Sequence, residues 1–232
     1  MPWYLGGKQA FQTACQSYCG ACADCGGVRG ISRRTNRRLS GHRHRVEASV
    51  FQLIGFVTCS AGLVYLSRAS LRAPRSHGFY RFFAWECILA LVVLNLPAWF
   101  AAPFAWYQLL SWLLLLACLI PLGFGIRTLR AYGQPAAARA AEPQLLAFEK
   151  TTRLVTRGIY GYIRHPLYSS LLLLAWGAFF KAPALAGGAL ALAASACLLA
   201  TALADEAECL RFFGAEYQAY MAHTKRFVPF VF

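Results

Sequence analysis

Long runs without a charged residue dominate the pattern of this chain. Val50 to Leu66 is the first, and with its flanks it approaches the roughly 20 residues that a bilayer-spanning helix needs. Phe82 to Phe100 is the second, interrupted by Glu86 near one end and Pro97 near the other. Tyr107 to Ile126 is the third, rich in Leu, with Pro121 and Gly123 towards its exit. Both residues are tolerated in a spanning helix when neighbours satisfy the freed backbone groups. Leu167 to Ala204 is apolar except for Lys181, and its length fits a helical hairpin with Lys181, Ala182 and Pro183 at the tip. The pattern predicts an all-α polytopic membrane protein of about five transmembrane helices. The last two form a C-terminal helical hairpin, and an amphipathic tail follows in which Phe213, Tyr217 and Tyr220 share one face.

Composition points the same way. Of 232 residues 58% are hydrophobic and 14% charged, against about 45–50% and about 25% in soluble domains. The mean hydropathy is +0.45. A globule of this size cannot hide that much apolar surface from water, which excludes an ordinary soluble enzyme. The net charge of +14, from 23 Lys and Arg against 9 Asp and Glu, would indicate nucleic acid in a soluble chain. In a membrane chain it indicates cytoplasmic loops beside anionic lipid, so the partner expected is the bilayer and no nucleic acid is expected.

The basic residues also orient the spans. Arg127, Arg130, Arg139, Lys150, Arg153, Arg157 and Arg164 lie between the third and fourth spans, and Arg211, Lys225 and Arg226 follow the fifth. Both segments are expected in the cytoplasm, as is the first loop with Arg68, Arg72, Arg75 and Arg81. Five spans with a cytoplasmic C-terminus put residues 1–48 outside, although they hold Lys8 and seven Arg. That segment also lacks an amphipathic period and has too little apolar content to fold alone, so it is expected to be disordered. Trp3 to Leu5 is too short for a secretory core. A mistaken upstream start, a real unstructured extension or a miscounted span would each explain the conflict. The domain reading is therefore 1–48 as a basic, Cys-rich extension and 49–232 as the membrane domain.

Within the extension, Cys15, Cys19, Cys22 and Cys25 have the three-thiolate spacing of a radical cluster and Cys-x2-Cys steps like half a zinc site. No barrel-length sequence and no second ligand pair follow, so no metal is expected. Cys59, Cys87, Cys118 and Cys197 lie within spans, where Cys acts as a small apolar residue.

Two segments carry candidate chemistry. The first, Leu154 to Ser170, contains Gly158, Tyr160, Tyr162 and then Arg164-His165-Pro166 at the entrance of an apolar span. Arg and Tyr are ordinary interfacial anchors and Pro is ordinary in a first helical turn. A guanidinium and an imidazole beside free backbone N–H groups also suit a carboxylate. The second segment, Ala204 to Phe230, opens with Asp205-Glu206 at the membrane boundary, where an anion is disfavoured unless it meets a cation. Glu208 and Glu216 read as acids on a solvated helix face.

Taken together, the two segments resemble the isoprenylcysteine carboxyl methyltransferase and phospholipid methyltransferase superfamily of membrane enzymes. The stretch Gly-x-Tyr-x3-Arg-His-Pro-x-Tyr is found as Gly158, Tyr160, Arg164, His165, Pro166 and Tyr168. After a hairpin come Asp205-Glu206, Phe213-Gly214, Tyr217, Tyr220 and Pro229. The resemblance covers residues 120–232, including Gly133-Gln134-Pro135. It implies S-adenosylmethionine as methyl donor, bound by this half and open to the cytosol, with a lipophilic acceptor arriving from the membrane: an isoprenylcysteine-like carboxylate, a thiol or a phospholipid amine. It also implies that Arg164 and His165 hold the donor's polar end, that Tyr160 and Tyr168 line its pocket, and that Glu206 with Asp205 engages its ammonium or orients the acceptor. Arg164 and Glu206 are thereby the expected catalytic pair. Ser195 to Ala204 lacks the Arg that the prenylcysteine branch carries shortly before its acidic pair. Two other classes remain: an NADPH-dependent sterol-type reductase, whose Asn-Tyr-x-Gly-Glu element is replaced here by residues 165–170, and a non-enzymatic basic membrane scaffold.

Overall fold

The computed structural model describes residues 49–133 and 153–228. The Cys-rich extension, Gln134-Pro135, Arg139, Lys150 and Pro229 lie outside these residues. Two compact units divide at Phe51 and Gln52, and the description below concerns the second. The described residues are helical, with a lone parallel β-bridge between Ile163 and Lys225 and no strand among them.

Helix α1 spans Ser49–Leu71. Helix α2 (His77–Asn95) begins at Ser76, whose hydroxyl accepts from Phe79 N–H at 3.2 Å, an N-cap worth about 1 kcal/mol. A 3-10 turn, Leu96–Ala98, extends it. Helices α3 (Trp106–Ala117) and α4 (Leu119–Tyr132) run on across Cys118 as one 27-residue apolar span. Helix α5 (Pro166–Phe179) starts with Pro166 in its first turn, where the missing N–H is no loss. Helix α6 (Leu185–Phe213) is the longest at 29 residues. Gly214 turns the chain into α7 (Ala215–His223).

Among the described residues four helical segments are long and apolar enough to cross a membrane: Ser49–Leu71, His77–Ala98, Trp106–Tyr132 and Leu185–Phe213. The expected fourth span is the exception. Helix α5 has 14 residues and at 1.5 Å per residue reaches only about 21 Å, short of the roughly 30 Å hydrocarbon core. The apolar text that promised a full span continues past Phe179 into the loop at Phe180, so hydrophobicity there overstates helix length. The expected fifth span continues beyond Ala204 through the acidic pair to Phe213.

Small residues let the helices approach closely. Ala84, Leu198 and Ala202 with Tyr168 and Phe227 make one layer, Ile88, Ala175 and Ala194 a second, and Leu91, Ala178 and Ala191 a third. Residue numbers rise along α2 and α5 and fall along α6 through these layers, so α2 and α5 run parallel and α6 runs against both. Close approach through Ala replaces the hydrophobic driving force that lipid surroundings cannot supply. Gly177 serves the same purpose between α5 and α3, since a Cβ there would lie 2.9 Å from the Leu115 side chain. Hydrogen bonds from Gln52 Nε2 to Val93 O (3.1 Å) and from Ser60 Oγ to Glu86 Oε1 (3.0 Å) set α1 antiparallel to α2. Large apolar side chains such as Leu53, Leu66, Leu113, Leu116 and Leu192 remain exposed on the outer surface, as expected of helices that face lipid rather than water.

The two ends of the bundle differ. At one end the hairpin tip buries Lys181, only 1% exposed, with Nζ 3.6 Å from the Trp112 ring centroid and 3.2 Å from Gln108 Oε1. The exposed residues Arg72, Arg75, Arg127, Arg130, Arg157 and Arg211 gather at the other, with the segments Arg164 to Tyr168 and Asp205 to Tyr220.

Candidate functional site

At the arginine-rich end the chain before α5 is held by the segment that follows α7. Arg164 N–H donates to Lys225 O at 2.8 Å and His165 N–H to Arg226 O at 3.1 Å, while Lys225 N–H donates to Tyr162 O at 3.2 Å. Ser169 Oγ donates to Phe227 O at 2.8 Å. Upstream, a 3-10 turn at Gly158–Gly161 rests on α4. Gly158 has φ +60°, and a Cβ there would meet Thr128 Oγ1 at 3.0 Å, so both the backbone angle and the space call for glycine. Tyr220 closes the fold of this region by donating its hydroxyl proton to Tyr160 O at 2.6 Å.

These contacts bring every expected site residue together. Glu206, 4% exposed, is the hub. Its Oε1 accepts from Arg164 Nε at 3.0 Å and from Arg226 Nε at 3.0 Å, and its Oε2 accepts from Arg226 Nη2 at 2.9 Å. His165 Nε2 stands 3.3 Å from the same Oε1. Arg164 does more than pair with Glu206. Its Nη1 donates to Met221 O at 3.2 Å and to Thr224 O, and so covers the carbonyls at the end of α7, where a cation is favoured. One turn of side chain away, Asp205 is looser: Oδ2 is 3.3 Å from the Tyr168 hydroxyl and 3.4 Å from His165 Nδ1, and the side chain is 26% exposed. His165 stacks on Tyr168 with ring centroids 5.3 Å apart.

Burial alone would lower the pKa of His165, but hydrogen bonds and charge from Asp205 and Glu206 outweigh it and raise the value. The Arg226 guanidinium is held still more firmly protonated by Glu206. Burial pushes the Tyr217 and Tyr220 hydroxyls well above the ordinary phenol range, so both are neutral donors.

A cavity opens beside this cluster. Tyr160, Arg164, His165, Tyr168 and Asp205 are in its wall, joined by Tyr217 and Tyr220. Glu206 is outside the wall, behind Arg164 and His165, with its oxygens spent on cations. The two expected acids therefore have different surroundings: Asp205 faces the space, and Glu206 locks the residues around it.

The pattern of spacing had missed several participants. Arg226 had counted only towards orientation, yet it is the closest partner of Glu206. Glu208, expected on a solvated face, lines the cavity and pairs with buried His77, Nδ1 to Oε2 at 2.7 Å. The signal for Glu208 was present, because it lies three residues after Asp205 and so shares its helix face. His77 gave no such signal; it lies 131 positions away on another helix. Among the described residues no group of three or more His, Cys, Asp or Glu is arranged to hold a metal ion. Comparison with known proteins finds no matching family model, no similar curated protein and no similar solved structure.

Proposed function

We propose that this chain is an integral-membrane methyltransferase that uses S-adenosylmethionine to methylate a lipophilic acceptor. The observation that carries the reading is the convergence of Arg164, His165, Tyr160 and Tyr168 with Asp205 around one cavity, with Glu206 bracing them from behind. The donor set fits the polar end of such a molecule, which offers one carboxylate and one ammonium. The Arg164 guanidinium suits the carboxylate and Asp205 the ammonium, while the rings of Tyr160, Tyr168, Tyr217 and Tyr220 suit a sulfonium. When bound, the donor supplies an activated methyl group on a good leaving group, so the protein's task is positioning. Glu206 positions rather than touches: by fixing both Arg164 and Arg226 it holds the cavity wall in register.

The site lies at the end of the bundle with most of the basic residues, which supports a cytosolic active site in the cytoplasmic membrane. Helix α5, apolar but only 14 residues long, would make a fifth crossing only where the bilayer thins locally around it. Calorimetric titration of S-adenosylmethionine into the detergent-purified protein tests the function. Binding by the wild type and a loss of about 10- to 150-fold in Asp205→Asn, the equivalent of one hydrogen bond to a charged group, are expected. A wild type that does not bind the donor, or an Asp205→Asn variant that binds it equally well, refutes the reading.

A further inference from the structure

Two connections close the end of the bundle that lies away from the cavity. Residues 99–105 lead from the 3-10 turn after α2 into α3, and residues 180–184 lead from α5 into α6. Between Glu86 and Arg127, and between His165 and Asp205, Lys181 is the only charged residue. A lysine at a loop tip in water lays its stem along the protein and holds its ammonium in the solvent. Lys181 does the reverse. Its side chain is fully buried, with the ammonium turned inwards over the Trp112 ring and against Gln108 Oε1. Phe104 and Leu185, which gain nothing from water, are 90% and 96% exposed, and Phe100 and Trp106 stand out as well. The cation is inside and the aromatic and aliphatic groups are outside, the opposite of a solvated loop.

The backbone is prepared for the same surroundings. Asn95 Nδ2 donates to Ala178 O at 2.8 Å and Ser111 Oγ to Gly177 O at 2.7 Å, while Gln108 Nε2 donates to Ala98 O and to Lys181 O, each at 2.9 Å. All three side chains are buried. The carbonyls at the end of α5 and of the 3-10 turn therefore find their partners inside the protein. Water satisfies such groups at a solvated helix end, and acyl chains cannot. The exposed apolar surface is also continuous with the sides of the bundle: from Trp106 it runs along α3 through Leu109, Leu113 and Leu116 with no charged residue between.

We infer that the hairpin-tip end is immersed in the acyl chains of the leaflet opposite the arginine-rich end, so that residues 99–105 and 180–184 are lipid-binding loops rather than loops in water. Lipid is the occupant because the surface passes unbroken into the lipid-facing sides and Lys181, the one cation available to meet a polar partner, is withdrawn from it. This holds whether or not the cavity at the other end binds a methyl donor.

Full-length protein in phosphatidylcholine vesicles tests it through Trp106. The emission of that ring is the difference between wild type and Trp106→Phe, a change that keeps an aromatic ring against Phe180. Replacing the lipid by dibromostearoyl phosphatidylcholine should quench most of this difference, and iodide on both sides of the vesicle should quench little of it. Quenching by iodide and not by bromine would place the end in water, and quenching by neither would mean that a protein surface covers it; either result overturns the inference. Phe104→Asp and Leu185→Asp give a second measurement. Side chains so exposed touch little protein, so in water both changes should be nearly silent, whereas a carboxylate among acyl chains is strongly disfavoured. Thermal midpoints in vesicles should fall by several degrees in both variants, while Gln218→Asp, on the exposed face of α7 at the opposite end, should match wild type. Midpoints of the two tip variants equal to that of Gln218→Asp overturn the inference as well.

Discussion

Replacing Glu206 by Gln separates bracing from binding. The carboxylate is 6% exposed and meets two guanidiniums, Arg164 with 8% and Arg226 with 20% of the side chain exposed. Gln keeps the shape and one acceptor oxygen but removes the charge, and its amide nitrogen points a donor at a donor. Breaking one partner out of a buried ion pair costs about 3–5 kcal/mol, because the remaining charge is left uncompensated. Arg226 can recover some hydration through its exposed fifth, and Arg164 keeps the carbonyls of Met221 and Thr224, so about 3 kcal/mol is expected. Asp205→Asn, by contrast, disturbs contacts of 3.3 and 3.4 Å on a side chain already open to the cavity, and its stability cost should stay below about 1 kcal/mol. Denaturant unfolding of the purified variants in detergent measures both. Glu206→Gln should be the unstable one, and Asp205→Asn should instead be the one that loses donor affinity. The opposite order, or a Glu206→Gln variant within about 0.5 kcal/mol of wild type, would refute the division of labour between the two acids.

The raised pKa of His165 makes stability depend on pH in a fixed direction. Its contribution is fully present below the unfolded value of about 6.5 and is lost as pH rises through the higher folded value. Thermal midpoints should therefore fall from pH 6 upwards, and a flat profile in the wild type, or an unchanged slope in His165→Gln, would contradict it. At the far end of the bundle, Lys181→Met retains the aliphatic bulk but removes the cation over Trp112 and the bond to Gln108. A desolvated cation–π contact is worth about 2 kcal/mol, so the thermal midpoint should drop by several degrees while donor affinity at the opposite end stays the same; an unaltered midpoint would mean the ammonium contributes nothing.

Much of the helical layout could be read from the chain because lipid-facing helices announce themselves by length of apolar text. The limits of the helices could not. Helix α6 passes through Asp205 and Glu206 because both acids find partners inside the protein, and charge in a sequence does not reveal whether it will be neutralised by a distant residue. The same physics hid Arg226 and the His77 to Glu208 pair. Each depends on elements far apart in the chain meeting at one end of the bundle, whereas Arg164-His165 and Asp205-Glu206 were recognisable as compact motifs. Helix α5 was misjudged in length for the opposite reason: hydrophobicity says what a residue avoids, not where a helix ends.

The dependence of the site on residues 224–227 has a consequence for biogenesis. Lys225 and Arg226 hold the backbone of Arg164 and His165, Phe227 accepts from Ser169, and Arg226 neutralises Glu206. All the apolar helices precede these four residues in the chain and can enter the bilayer as they emerge from the ribosome, at about 5–20 residues per second. The cavity wall cannot form until Phe227 has been synthesised and the segment has folded back. Insertion and site assembly are thus separate events in time, and until the second is complete the nascent protein exposes a buried-to-be carboxylate at the mouth of the membrane, the state in which a quality-control protease would find it.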